Sequence, residues 1–127
     1  MSALRYSRFW YLAGVGLILV VVVVSLVPRS ELPHLAISDK VEHFTAYFGL
    51  GLWFGGLVMP RRYALLASAL LILGGGIEVA QGLMGWGREA DWRDFYADAL
   101  GAFAGLALCL VGLRHWVKWL EQWLKPG

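Results

Sequence analysis

Nine positions in this apolar chain carry side chains suited to acid–base, anion-binding or metal chemistry: Asp39, Lys40, His43, Tyr47, Glu78, Gln81, Arg88, Asp94 and Asp98. Their spacing is helical. Asp39, His43 and Tyr47 recur every four residues and fall on one stripe of a helix. Gly74, Glu78 and Gln81 share a second stripe, and Asp94, Asp98, Gly101 and Gly105 share a third. His43 and Glu78 are the acid–base candidates, because each can hold or release a proton near neutral pH once its surroundings are tuned. Lys40 and Arg88 suit a phosphate or carboxylate, and Asp94 would orient a partner. Glu89 and Asp91, in the same loop region, read as solvated charges.

Such groups are costly in their setting. The chain is 59% hydrophobic and 16% charged, whereas soluble domains carry about a quarter charged residues. An unpaired charge at mid-bilayer costs about 2.5–3.5 kcal/mol even on the lenient insertion scale. At 1.5 Å per residue, Glu78 lies roughly 12 Å below Trp86, a natural interfacial anchor. It must pair, protonate or line a water-filled cavity.

The elements that would position these groups are long apolar runs. Residues 9–27 are uncharged and of spanning length, open with Phe9, Trp10 and Tyr11, and follow Arg5 and Arg8. Pro28, Arg29 and Ser30 come next, not the small residues of a cleavage site, so an uncleaved first span is expected. Pro28 and Pro33 interrupt the connection, and Ser38 is placed to cap the next helix. Further spans are expected over about 43–59, 63–84 and 95–113, the last capped by Asp94. Gly51 with Gly55, and Ala97 with Gly101 and Gly105, form small-residue faces for close helix contact.

The expected fold is an all-α membrane protein, one domain over residues 1–127, with four transmembrane helices and a C-terminal amphipathic interfacial helix over 114–125. In that tail Trp116, Trp119, Leu120, Trp123 and Leu124 lie on one face. Arg5, Arg8, Arg61, Arg62, Arg114, Lys118 and Lys125 outnumber acids in the termini and second loop, which places both termini in the cytoplasm. Asp39, Lys40, His43, Glu78, Gln81, Arg88, Asp94 and Asp98 then fall at one depth, at the outer side of the bundle.

Several function classes are excluded or disfavoured. There is no basic stripe for nucleic acid at a net charge of +2. The single cysteine, Cys109, rules out an internal disulfide and CxxC chemistry. His43 with Glu78, Asp94 and Asp98 could suit several metals, but no HExxH-type spacing fixes a geometry, so no metal is assigned and the cofactor is left open. His34 and His115 read as a loop residue and a member of the basic tail.

The stretches DKVEHFTAYF (Asp39, Lys40, His43, Phe44, Tyr47), EVAQ (Glu78, Gln81), Arg88 and DFYADALG (Asp94, Asp98, Gly101) together resemble the VanZ-like family of small bacterial membrane proteins. The resemblance covers about residues 35–106. At Asp98 this chain carries a carboxylate where the family pattern favours Asn. The family is named for a member linked to resistance to the glycopeptide teicoplanin. The resemblance therefore implies an envelope role at the outer face of the cytoplasmic (inner) membrane.

The leading expectation is a site that binds an anionic lipid-linked precursor or other cell-envelope ligand, with catalysis left undecided. The rival reading is a structural membrane protein whose buried polar network only fixes helix packing. A small transporter would require a homo-oligomer, which the Gly-rich helix faces would permit.

Overall fold

The structure is a computed structural model that describes residues 4–27, 39–84 and 91–124. All regular structure among them is helical. α1 covers Ser7–Leu26, α2 Asp39–Gly55, α3 Tyr63–Met84, α4 Trp92–Leu108 and α5 Trp116–Leu124. A short 3₁₀ turn over Pro60–Arg62 leads into α3, and a wide turn over Cys109–Leu113 extends α4. Three segments, Ser7–Leu26, Pro60–Met84 and Trp92–Leu113, are long and apolar enough to cross a membrane. The chain is a membrane protein.

The second expected span differs from the other three. α2 begins at Asp39, the expected start of the helix, but ends at Gly55 and not at 59, because the paired glycines at 55 and 56 end the helix and Pro60 opens the following turn. Its 17 residues begin with Asp39, Lys40, Glu42 and His43, so it is shorter and more polar than the three apolar segments. The fourth run also starts earlier than expected. Asp91, not Asp94, is the cap of α4: its carboxylate accepts the Arg93 N–H at 2.9 Å. That bond satisfies one of the backbone donors a helix start leaves open. Ser38, the cap expected for α2, lies outside the described residues.

α2 and α4 run parallel and form the tightest contact in the molecule. Gly101 lies against the Phe44 carbonyl and the Phe48 N–H. At Gly105 a Cβ would stand 2.6 Å from the Phe48 carbonyl oxygen, so only glycine admits this approach. α1 and α3 run in the opposite sense. At one end Trp10 packs with Leu57, and at the other the Gln81 amide donates to the Ser25 carbonyl at 2.7 Å. Tyr47, Leu50, Leu70 and Ala102 make the central core.

The two ends of the bundle are chemically unlike. At the first, Trp10, Leu57 and Val117 form a buried cluster bordered by Trp53 and Trp116. The Trp116 indole donates to the Leu52 carbonyl at 2.7 Å. Glu121 of α5 accepts the N–H groups of Arg5 (2.8 Å) and Tyr6 (2.9 Å) and the Trp10 indole (2.7 Å), tying the start of the described chain to its end. Burial pushes the Glu121 carboxyl up, but these donors outweigh it and hold the group below its ordinary value. The expected tryptophan face is therefore divided. Trp116 packs inward as a core residue, while Trp119 and Trp123 remain exposed. Arg61 and Arg62 also sit at this end, in the turn between α2 and α3. The opposite end, where α2 starts, α3 finishes and α4 starts, holds Glu78, Asp91, Asp94 and Asp98.

Candidate functional site

The parallel α2–α4 contact fixes the site, because it sets the first two turns of α2 beside the first two turns of α4. His43 then lies against Asp98, with Nδ1 2.8 Å from Oδ1, and its Nε2 is 3.5 Å from Asp94 Oδ2. One turn earlier, Lys40 Nζ donates to Asp91 Oδ2 at 3.0 Å and pairs closely with Asp94 Oδ1. The Asp94 and Asp98 side chains are 7% and 3% exposed and the His43 ring 9%, whereas Lys40, at 40%, forms the mouth of the cluster.

α3 closes the third side. Glu78 is fully buried, and its Oε2 accepts the Asp91 N–H at 2.8 Å. Its other oxygen has no hydrogen-bond partner among the described residues, and neither does the buried Tyr47 hydroxyl. Gly74, one turn before Glu78, lets Asp98 enter: a Cβ there would stand 2.9 Å from Asp98 Oδ2. The small residue and the carboxylate are thus two halves of one contact.

The structure brings together Lys40, His43, Glu78, Asp94 and Asp98 from three helices, with Tyr47 buried one turn beyond His43 on α2. Gln81 sits on the same helix face but uses its amide to hold α1 through Ser25. Asp39 is the first residue of α2, and its side chain lies outside the described residues. Arg88 and Glu89 lie outside them too.

Asp91 is the member that sequence reading missed. Expected to be a solvated loop charge, it caps α4, pairs with Lys40 and presents its N–H to Glu78. The Arg93 side chain and N–H, followed by Lys40, hold its carboxyl well below the usual carboxylate range. The signal was in the sequence: Asp91 stands three residues before an acid and directly before a helical run, the pattern of a helix start.

Chemically, the cluster can hold protons, a cation, or an anion presented to Lys40. His43, Glu78 and Asp94 each bring one ligand-type atom within 4.8 Å of the other two, and all three are buried. Comparison of the chain with protein-family models, with curated proteins and with solved structures finds no match in any of the three. The site must be read from its own atoms.

Proposed function

We propose that this chain is a multi-pass, VanZ-like protein of the bacterial cytoplasmic membrane whose Lys40–His43–Glu78–Asp94–Asp98 pocket binds an anionic lipid-linked or cell-envelope ligand. In this reading α1 to α4 all cross the bilayer, and α5 lies along the cytoplasmic interface. The pocket faces outward. Support for the orientation comes from the basic end, where Arg5, Arg61, Arg62 and Arg114 lie at the end opposite Glu78, Asp94 and Asp98. An outward anionic ligand is also what would connect such a protein with glycopeptide resistance.

The observation that carries the reading is convergence: five ionisable groups from three helices meet in one largely buried cluster with an ammonium at its mouth. Ionisable groups within membrane segments face the bundle interior and mark ligand or proton paths far more often than chance placement would allow. Lys40 makes the first contact with phosphate, with His43 and Glu78 behind it as the acid–base candidates. Binding of a fluorescent polyprenyl phosphate to the full chain in nanodiscs tests this. Lys40→Gln is expected to weaken binding at least tenfold; undiminished binding by a folded variant overturns the anion role.

One observation favours a second reading, a network that only fixes packing. Gln81 ties α3 to α1 through the Ser25 carbonyl, a bond with no chemistry in it. That reading expects Gln81→Leu and His43→Asn to impair stability alike and ligand binding not at all.

A further inference from the structure

Among the described residues, the pocket gathers the carboxylates of Glu78, Asp91, Asp94 and Asp98 beside Lys40, Arg93 and His43. The open oxygen of Glu78 could be met by a bound water or by a cation.

The geometry favours the cation. One ligand atom each from His43, Glu78 and Asp94 lies within 4.8 Å of the other two. Ligands around a tetrahedral ion with bonds of about 2.1 Å stand about 3.4 Å apart, so side-chain closure of up to about 1.4 Å completes the set. Asp98 lies against Nδ1 of His43 and turns Nε2 towards Asp94. That is the carboxylate–histidine arrangement that fixes the tautomer and orientation of a metal-binding imidazole. Glu78, a member of this group, is fully buried and has one oxygen without a hydrogen-bond partner among the described residues.

We propose that His43, Glu78 and Asp94 bind a divalent first-row cation of the Zn²⁺ or Mn²⁺ kind, with Asp98 as the residue that positions His43. One imidazole nitrogen and two carboxylates suit such ions better than Ca²⁺ or Mg²⁺, which prefer all-oxygen sets. The proposal deepens the ligand-site reading and rests on it for its purpose: the ion supplies positive charge to phosphate oxygens that Lys40, shared between Asp91 and Asp94, supplies only in part.

The experiment measures the ion directly, without any anionic ligand, so the two readings can fail separately. Full-length protein in detergent is stripped with chelator, and Zn²⁺ and Mn²⁺ are titrated by calorimetry, with metal content checked after dialysis. One equivalent per chain is expected. Glu78→Gln and His43→Gln should each weaken binding at least tenfold, and Asp98→Asn about tenfold with unchanged stoichiometry, as for other groups that orient a metal-binding histidine. Glu121→Gln, at the far end of the bundle, should bind as the parent does. Nitrogen hyperfine coupling to bound Mn²⁺ in the unmodified protein identifies an imidazole ligand even where a variant fails to fold. Absence of a stoichiometric ion, or of that coupling, overturns the proposal. So does parental affinity in a folded Glu78→Gln variant.

Discussion

Lys40 is the residue on which the charge balance of the pocket turns. It is the ammonium shared by Asp91 and Asp94, and Asp94 is almost wholly enclosed. Removing it leaves a buried carboxylate without its cation, a loss that generally exceeds the net worth of the pair itself. Because Lys40 is 40% exposed, solvent screens part of the effect, and a cost of about 1–2 kcal/mol is expected for Lys40→Met. The double variant Lys40→Met/Asp94→Asn should recover most of it, which thermal unfolding of the four members of the cycle in detergent will show. At this scale the sequence was informative in part. The types and helical spacing of His43, Glu78, Asp94 and Asp98 pointed to one site, because buried charge has few places to go. The role of Asp91 was hidden because residues just before a helix look like loop charges until the cap bond is seen. The separate task of Gln81 was hidden as well, since its partner is a backbone carbonyl on a distant helix.

The α2–α4 pair is the element-scale device that makes the site possible. Its parallel contact depends on backbone approaching backbone at Gly101 and Gly105. Gly101→Val would drive a side chain into the Phe44 carbonyl, and a loss of about 3 kcal/mol or more is expected from overpacking against atoms that cannot move aside. Gly76, which has open space where a Cβ would go, provides the contrast. Gly76→Ala should change stability by less than about 1 kcal/mol. Unfolding midpoints of both variants in one detergent give the comparison. The small-residue stripes were legible from their four-residue repeat. Which helix they met was not, because small residues mark a close approach without naming the partner. The start of α2 was legible, but its end escaped, since an apolar run continues through Leu57, Val58 and Met59 after the helix has ended at Gly55.

At the scale of the whole molecule, the Glu121 contact joins α5 to the start of α1 and so closes the end opposite the pocket. Its carboxyl is held below the ordinary value. The contact is therefore fully present above the usual Glu pKa of about 4.3 and is lost only as pH falls through the lower folded value. Fluorescence from the Trp10–Trp53–Trp116 cluster should report that loss as a step on acidification, and Glu121→Gln should remove the step. A step of the same size in the variant would assign the transition to another group. The unequal helix lengths have a consequence for the surrounding lipid. At 1.5 Å per residue α2 spans about 26 Å and α3 about 33 Å, on either side of the roughly 30 Å hydrocarbon layer. On the proposed four-span topology the bundle would present a hydrophobic mismatch that differs from one side to the other. Where α2 bordered the bilayer, the lipid would thin or its headgroups would dip, at a cost of fractions of a kcal/mol per Å. Bilayer thickness would then be an input to the site: a thin membrane would hold Lys40 and His43 level with the headgroups, and a thick one would draw them under.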